Sequence, residues 1–264
     1  MCRLLGYLGE PILLESILTQ PKHSLIVQSY QPQEMQESLL NADGFGLGWY
    51  DTQKQTSPFT YKNTQPIWND INLKSLSGYI ESGCILGYVR SATLGQGIDI
   101  SNCQPFNYKN ILFIHNGYID QFRSTLYKPI RDSLQDIPYL LINGNTDSEH
   151  IFALLINEIL EIIKYDFQEA LHNILMFLKK IAQENKVKFL ANTIITDGHQ
   201  LVASRFAQDA SSPSLYWLKN SSKFPNSVII ASEPLFADDW QKFPEQSITK
   251  VSENLDIQIY SNPK

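Results

Sequence analysis

A cysteine stands directly behind the initiator methionine, in a chain that opens MCRLLGYLGE. Initiator methionine is commonly trimmed before a small residue. Trimming would leave Cys2 carrying a free α-amine beside its thiol. An unperturbed thiol ionises near about 8.5 and an α-amine near about 7.7–8.0, so the amine is a competent base close to neutral pH. Such a pair can run acyl transfer: the amine takes the thiol proton, directly or through a water, and later returns it to the leaving group. The plain alternative is that Cys2 is a small residue with no chemical task.

Four further stretches carry residue types that a reaction could use. In FIHNGYI (113–119), Asn-Gly between apolar runs reads first as a type I′ hairpin turn. The same two residues could form an oxyanion hole, with the Asn116 carboxamide and the Gly117 N–H aimed at one oxygen. Glycine there would let backbone approach a substrate. In GYVRSATLG (87–95), Arg90 lies in an otherwise apolar strand. It is either an edge residue or a fork for a carboxylate, helped by the Thr93 hydroxyl. In NGNTDSEH (143–150), Thr146 to Glu149 matches a capping box ahead of an apolar helix. Asp147, held at that helix start, could also accept hydrogen bonds from an ammonium group. ADGFGLGWY (42–50) has glycines outside the dinucleotide spacing and reads as a tight loop entering a strand, where backbone could near a ligand.

Other chemistries find less support. The histidines at 23, 115, 150, 172 and 199 give no H-E-x-x-H spacing, and the cysteines give no C-x-x-C pair. We therefore expect no metal. There is no G-x-S-x-G elbow and no phosphate-binding G-x-x-x-x-G-K-[ST] loop, and no organic cofactor is implied. Formal net charge is −6 without a Lys/Arg cluster, which argues against a nucleic-acid partner. No apolar run reaches the roughly 18 residues of a membrane span. Cys2, Cys84 and Cys103 are few, odd in number and widely spaced. That favours a reducing compartment, and the expected location is the cytoplasm. Cys84 and Cys103 read as small buried hydrophobes, and Trp49, Trp68, Trp217 and Trp240 as packing residues.

The elements that must position these residues come from periodicity. With 264 residues, 43% hydrophobic and 18% charged, the chain can bury a sizeable core. Helical spacing covers 147–164 and 168–184, and more weakly 126–134. Strands are expected at 85–92, 110–119 and 190–198, then at 200–204, 214–218, 227–232 and 255–260. Asp197-Gly198 is a hairpin signal. Strands on both sides of a helical middle, without regular alternation, predict an α+β fold with antiparallel sheets.

Taken in order, MCRLLGY, ADGFGLGWY, YVRSAT, QPF followed by FIHNG, and NTDSE resemble the class II glutamine amidotransferases of the N-terminal-nucleophile hydrolase superfamily. IIASEPL and WQKFPE look like the stand-alone members. The resemblance implies a four-layer αββα sandwich of two antiparallel sheets, as a single domain over 2–264 once Met1 is removed. It implies Cys2 as nucleophile with its α-amine as base, and Asn116 and Gly117 as the oxyanion hole. Arg90 and Thr93 would bind the α-carboxylate of a glutamine-like substrate, and Asp147 its α-ammonium. One motif departs: the large synthases typically read H-T-R-W-A-T-H-G, where this chain has Tyr88, Ser91 and Leu94 in place of His, Trp and His. With the end of the chain at Lys264, that departure disfavours a synthase-type ammonia donor with its own acceptor domain. The pattern is similar to the γ-glutamyl hydrolase of ergothioneine biosynthesis. The expected activity is hydrolysis of a γ-glutamyl amide in a small sulfur metabolite. The alternatives are ammonia release from glutamine for a partner protein, and a non-catalytic γ-glutamyl-binding subunit; the partners expected are a small-molecule γ-glutamyl substrate and either that ammonia-accepting protein or a second copy in a homo-oligomer.

Overall fold

A computed structural model describes residues 1–34, 40–92, 97–160 and 166–261. Thr93 and the expected end of the helix over 147–164 lie outside the described residues. The strands are Arg3–Leu13 (β1), Phe45–Trp49 (β2), Phe59–Asn63 (β3), Glu81–Val89 (β4), Phe106–Tyr108 (β5), Ile111–Ile119 (β6), Phe189–Thr196 (β7), Leu201–Gln208 (β8), Tyr216–Ser221 (β9), Phe224–Ala231 (β10), Gln241–Lys242 (β11), Ser247–Val251 (β12) and Ile257–Ser261 (β13). They form a seven-stranded sheet in the order β11-β9-β10-β1-β4-β2-β3 and a six-stranded sheet in the order β13-β12-β8-β7-β6-β5. All the strand pairs within them are antiparallel. The expected α+β class and the two antiparallel sheets are thus observed.

Three apolar clusters account for the layering. Period-two alternation sends Leu5 and Tyr7 of β1 to one face and Leu4 and Leu8 to the other. Leu5 and Tyr7 pack under the short helices Leu14–Leu18 (α1), Leu25–Tyr30 (α2) and Leu73–Ser77 (α3). Leu4, Leu8, Leu86 and Tyr88 meet Leu112, Ile114 and Ile194 of the other sheet, forming the seam between the sheets. The far face of the second sheet is covered by Tyr127–Asp132 (α4), the short Asp136–Leu140 (α5) beside it, Asp147–Leu160 (α6) and Phe167–Asn185 (α7). The order is helices, sheet, sheet, helices, which is the expected four-layer sandwich. No helix among the described residues is long and apolar enough to cross a membrane.

Two turn expectations separate here. Asp197-Gly198 does join β7 to β8, with Gly198 at φ +96°. Asn116-Gly117 makes no turn. Both residues lie inside β6, paired with Asn192 and Ala191 of β7, and neither has the positive φ that a type I′ turn requires. The local signal lost because β6 runs on to Ile119 with a continuous partner strand. The sequence reading also missed β1, β12 and the short helices α1–α3, which lack enough turns to show a period.

The glycines of ADGFGLGWY serve packing. Gly44 takes φ +115° in the loop that enters β2. A Cβ on Gly46 would sit 2.0 Å from the Gln104 carbonyl oxygen, so backbone approaches backbone, not ligand. Gly46→Ala is expected to cost at least about 1–3 kcal/mol, the usual range for overpacking a tight site. A urea midpoint unchanged from wild type would contradict this account of the loop.

Candidate active site

β1 and β4 are antiparallel neighbours, with Arg3 opposite Val89 and Leu4 opposite Tyr88. Continuing that register puts Cys2 opposite Arg90 at the open end of the pair, with Tyr88 as its diagonal neighbour. Both neighbours face the seam. The Cys2 sulfur lies 2.9 Å from the Tyr88 hydroxyl, and the Ser91 backbone N–H donates to it at 3.4 Å. Cys2 is 8% exposed. Met1 precedes it and is half-buried. The other thiols, Cys84 and Cys103, are free and buried, as expected. Burial pushes Cys84 up to about 12, which leaves it inert near neutral pH.

Arg90 is 2% exposed and held by the loop that precedes β2. Its backbone N–H donates to Gly44 O, its carbonyl accepts from Asp43 N, and its Nη1 reaches the carbonyls of Asp43 and Gly97. The Asp43 carboxylate in turn accepts from Ala92 N at 2.8 Å. Asn102 extends this bracing, donating to Gly97 O and accepting from Asn145 N. A guanidinium so buried is fixed in direction by its neighbours, the condition for binding a planar anion.

β6 supplies the facing wall. Alternation puts Asn116 on the seam side with Leu112 and Ile114. It is fully buried, and neither Nδ2 nor Oδ1 finds a hydrogen-bond partner among the described residues. Its cross-strand neighbour Asn192 donates to Pro213 O and Ser214 O but leaves its own buried Oδ1 unpaired. Buried polar atoms are nearly always paired, so a cluster of unpaired ones marks a place for a polar guest.

The backbone of β6 has an open side. β5 pairs only as far as Phe113. Beyond it the Gln104 side chain takes over, accepting from His115 N and donating to His115 O. Four residues further, Ile119 N donates to Asp147 Oδ2 at 2.7 Å. Strand N–H groups alternate sides, so Gly117 N–H points out between these two occupied positions, away from β7. The close approach that makes position 117 a glycine is to protein. A Cβ there would lie 1.9 Å from Leu190 O and 2.5 Å from His115 Nε2. Packing on β7 by itself requires glycine at this position.

Asp147 begins α6 on that same edge. Thr146 Oγ1 caps the helix by accepting from Glu149 N at 3.2 Å. The box is only half formed. The Glu149 carboxylate turns instead to Asn143 N and Gly144 N, tying down the preceding loop. Asp147 Oδ1 accepts from Ser148 N and Oδ2 from Ile119 N, which uses two of about four acceptor sites on a carboxylate. Ser148 also bonds the His115 ring at 2.8 Å. The structure thus brings Cys2 together with Arg90 along β1–β4, and Asn116, Gly117 and Asp147 along β6. Gln104, Asp43, Ser91 and Tyr88 take part without having been singled out. Only the departure of Tyr88 and Ser91 from the synthase-type motif marked any of them by residue.

The sequence profile described as "Glutamine amidotransferases class-II" matches residues 1–216. The chain belongs to the class II glutamine amidotransferases. This is an enzyme family of amide-bond hydrolysis. A Saccharomyces cerevisiae relative named "Probable glutamine amidotransferase DUG3" is 29% identical, over 95% of this chain and 82% of its own length. The gamma-glutamyl-hercynylcysteine sulfoxide hydrolase of Mycolicibacterium smegmatis is 28% identical, over 95% and 96%. In fold, this amidotransferase chain superposes on a glutamine aminotransferase class-II domain protein from Silicibacter pomeroyi with a TM-score of 0.71, at 23% identity, covering 98% and 99% of the two chains.

In this amidotransferase, Glu233 of IIASEPL anchors Arg3, the residue after Cys2. It lies 3.2 Å from Arg3 Nε and 2.7 Å from His23 Nε2, and accepts from Gln33 N and Glu34 N. Burial raises Glu233, but the His23 and Gln33 contacts and Arg3 outweigh it and hold the carboxyl below its usual range.

His150, one turn into α6, donates from Nδ1 to Thr146 O and accepts from Arg131 Nε at 3.0 Å. Burial depresses it to about 4 from the ordinary 6.5. The unfolded chain therefore binds this proton more tightly than the folded one. The stability involved is fully present above about 6.5 and is lost as pH falls towards about 4, by roughly 3 kcal/mol at most. His150→Gln should flatten the loss of urea stability between pH 7 and pH 4.5. An unchanged pH dependence would contradict the neutral, accepting His150.

Proposed function

We propose that the chain hydrolyses a γ-glutamyl amide bond through a thioester on Cys2. The observation that carries the reading is the pairing of a thiol at the mouth of β1–β4 with an unpartnered, fully buried Asn116 carboxamide on the sheet across the seam.

Loss of Met1 frees the Cys2 α-amine, which accepts the thiol proton. The sulfur attacks the γ-carbonyl carbon. The carbonyl oxygen becomes an oxyanion that accepts from Asn116 Nδ2 and Gly117 N–H, two donors on one corner of β6. The tetrahedral intermediate collapses with cleavage of the C–N bond, and the α-ammonium protonates the departing amine. Water, deprotonated by the same amine, attacks the thioester, and glutamate leaves as the thiol re-forms. Arg90, with Thr93, takes the α-carboxylate, and Asp147 offers its two remaining acceptor sites to the α-ammonium. The zwitterion is thereby clamped at both charges, which supplies orientation for the attack.

The substrate proposed is a γ-glutamyl-linked sulfur metabolite, of the class named in the Mycolicibacterium smegmatis relative. The amidotransferase name of the yeast relative favours a second reading, in which glutamine is cleaved and a partner protein uses the ammonia. Glutamate release from γ-glutamyl cysteine derivatives, compared with ammonia release from glutamine, separates the two. Faster turnover of glutamine would overturn the first.

Two substitutions test the site. Asn116→Ala is expected to lower kcat about a hundred- to thousandfold with a smaller change in KM. Arg90→Lys should raise KM about tenfold or more, because a point charge replaces a planar fork. Equal losses in kcat alone for both variants would contradict the assignment of their roles.

A further inference from the structure

Tyr88 has no task in the mechanism above, yet it touches the reacting sulfur. Its ring is 2% exposed and packed in the seam between Leu86, Leu4 and the second sheet. Among the described residues, the Cys2 sulfur at 2.9 Å is the only hydrogen-bond partner of its hydroxyl. We propose that Tyr88 donates this hydrogen bond to the Cys2 thiolate and so is a further catalytic residue, one that stabilises the nucleophile in its reactive form. The proposal rests on the reading of Cys2 as nucleophile.

Three observations support the direction of the bond. A thiolate can only accept, so once Cys2 has lost its proton the phenol must be the donor. Ser91 N–H donates to the same sulfur at 3.4 Å, while the neutral thiol's own acceptor is the Ser91 carbonyl at 3.6 Å, so two donors are in place once the thiol proton has left. Burial, followed by the neighbouring Cys2, raises Tyr88 well above its ordinary value, so the phenol keeps its proton throughout. The other charged or titratable groups around the pair are Arg90 at the end of β4, Arg3 on β1 and Cys103 in the segment before β5. The two arginines are held by bonds elsewhere, Arg90 by the carbonyls of Asp43 and Gly97 and Arg3 by Glu233. Tyr88 is the group whose polar atom is committed to the sulfur.

The division of labour is chemical. The α-amine removes the proton, and Tyr88 lowers the cost of holding the resulting charge in a buried seam. When the sulfur attacks, negative charge passes to the carbonyl oxygen and the Tyr88 bond weakens as the oxyanion bonds strengthen. Tyr88 does not touch the substrate, so its loss should appear in kcat and in the ionisation of the nucleophile, and not in KM.

The test is Tyr88→Phe in the full chain after Met1 removal. Iodoacetamide alkylation is followed residue by residue by mass spectrometry across pH. Cys84 and Cys103, both buried, are internal controls for folding, because their alkylation signals opening of the core. If the Phe variant opens, Tyr88→Leu provides a second chain without the hydroxyl. The expected result is that the alkylation profile of Cys2 moves up by about one pH unit, and that kcat falls about tenfold at pH 7 with KM within twofold. A Cys2 profile and a kcat unchanged from wild type in a folded variant would overturn the proposal. Full turnover by Cys2→Ala would fail the nucleophile reading and the catalytic role of Tyr88 with it. Abolished turnover in Cys2→Ala with an unshifted profile in Tyr88→Phe fails Tyr88 alone.

Discussion

The pairing of β1 with β4 fixes where the chemistry can occur. Antiparallel register sets Leu4 against Tyr88 and Arg3 against Val89, and a slip by one residue would turn every side chain to the opposite face. In the observed register Cys2, Tyr88 and Arg90 share the seam, while Arg3 turns outward to Glu233. Both faces of β1 are buried, so the apolar sets Leu4–Leu8 and Leu5–Tyr7 each oppose a slip. Glu233 adds an electrostatic lock, since a buried Arg3 without its carboxylate would be strongly disfavoured. The position of Cys2 thus follows from the packing of both sheet faces, not from the loop around it.

The second sheet contributes through an incomplete edge. β5 stops at its pairing with Phe113, and Gln104, then Asp147, satisfy two of the next three outward N–H groups of β6, those of His115 and Ile119. Gly117 N–H remains between them, and the Asn116 carboxamide stands unpartnered on the seam side. Unpaired buried groups carry a standing cost that a bound polar ligand relieves. A site of this kind discriminates against ligands that cannot make the missing hydrogen bonds, as the proposed clamp on a small zwitterion requires.

Much of this was legible in the chain because it is written in residue type. The long helices α6 and α7 and the strands β6, β7 and β10 carry enough periods to show. The resemblance drew Cys2, Arg90, Asn116, Gly117 and Asp147 out of stretches whose local readings were turns, caps and edges. Local reading failed at Asn116-Gly117, where a long-range partner strand overrides the turn preference, and at Gly117 and Gly46, where glycine is demanded by a neighbouring carbonyl. It gave no role to Gln104 or Asp43, whose tasks depend on which segments meet in space. Tyr88 and Ser91 were visible only as departures from the synthase-type motif, and their contacts with Cys2 depend on strand register, which no local pattern states.

The account turns on Cys2 acting from a free N-terminus on a γ-glutamyl carbonyl. The most direct measurement is the intact mass of the protein from its own host, before and after exposure to a diazo-ketone analogue of glutamine, with the adduct mapped by peptide sequencing. The account predicts a chain lacking Met1 that gains one adduct, on Cys2, and none when glutamate is present in large excess. A chain that lacks Met1 but stays unlabelled, or one labelled at Cys84 or Cys103 instead, would contradict it.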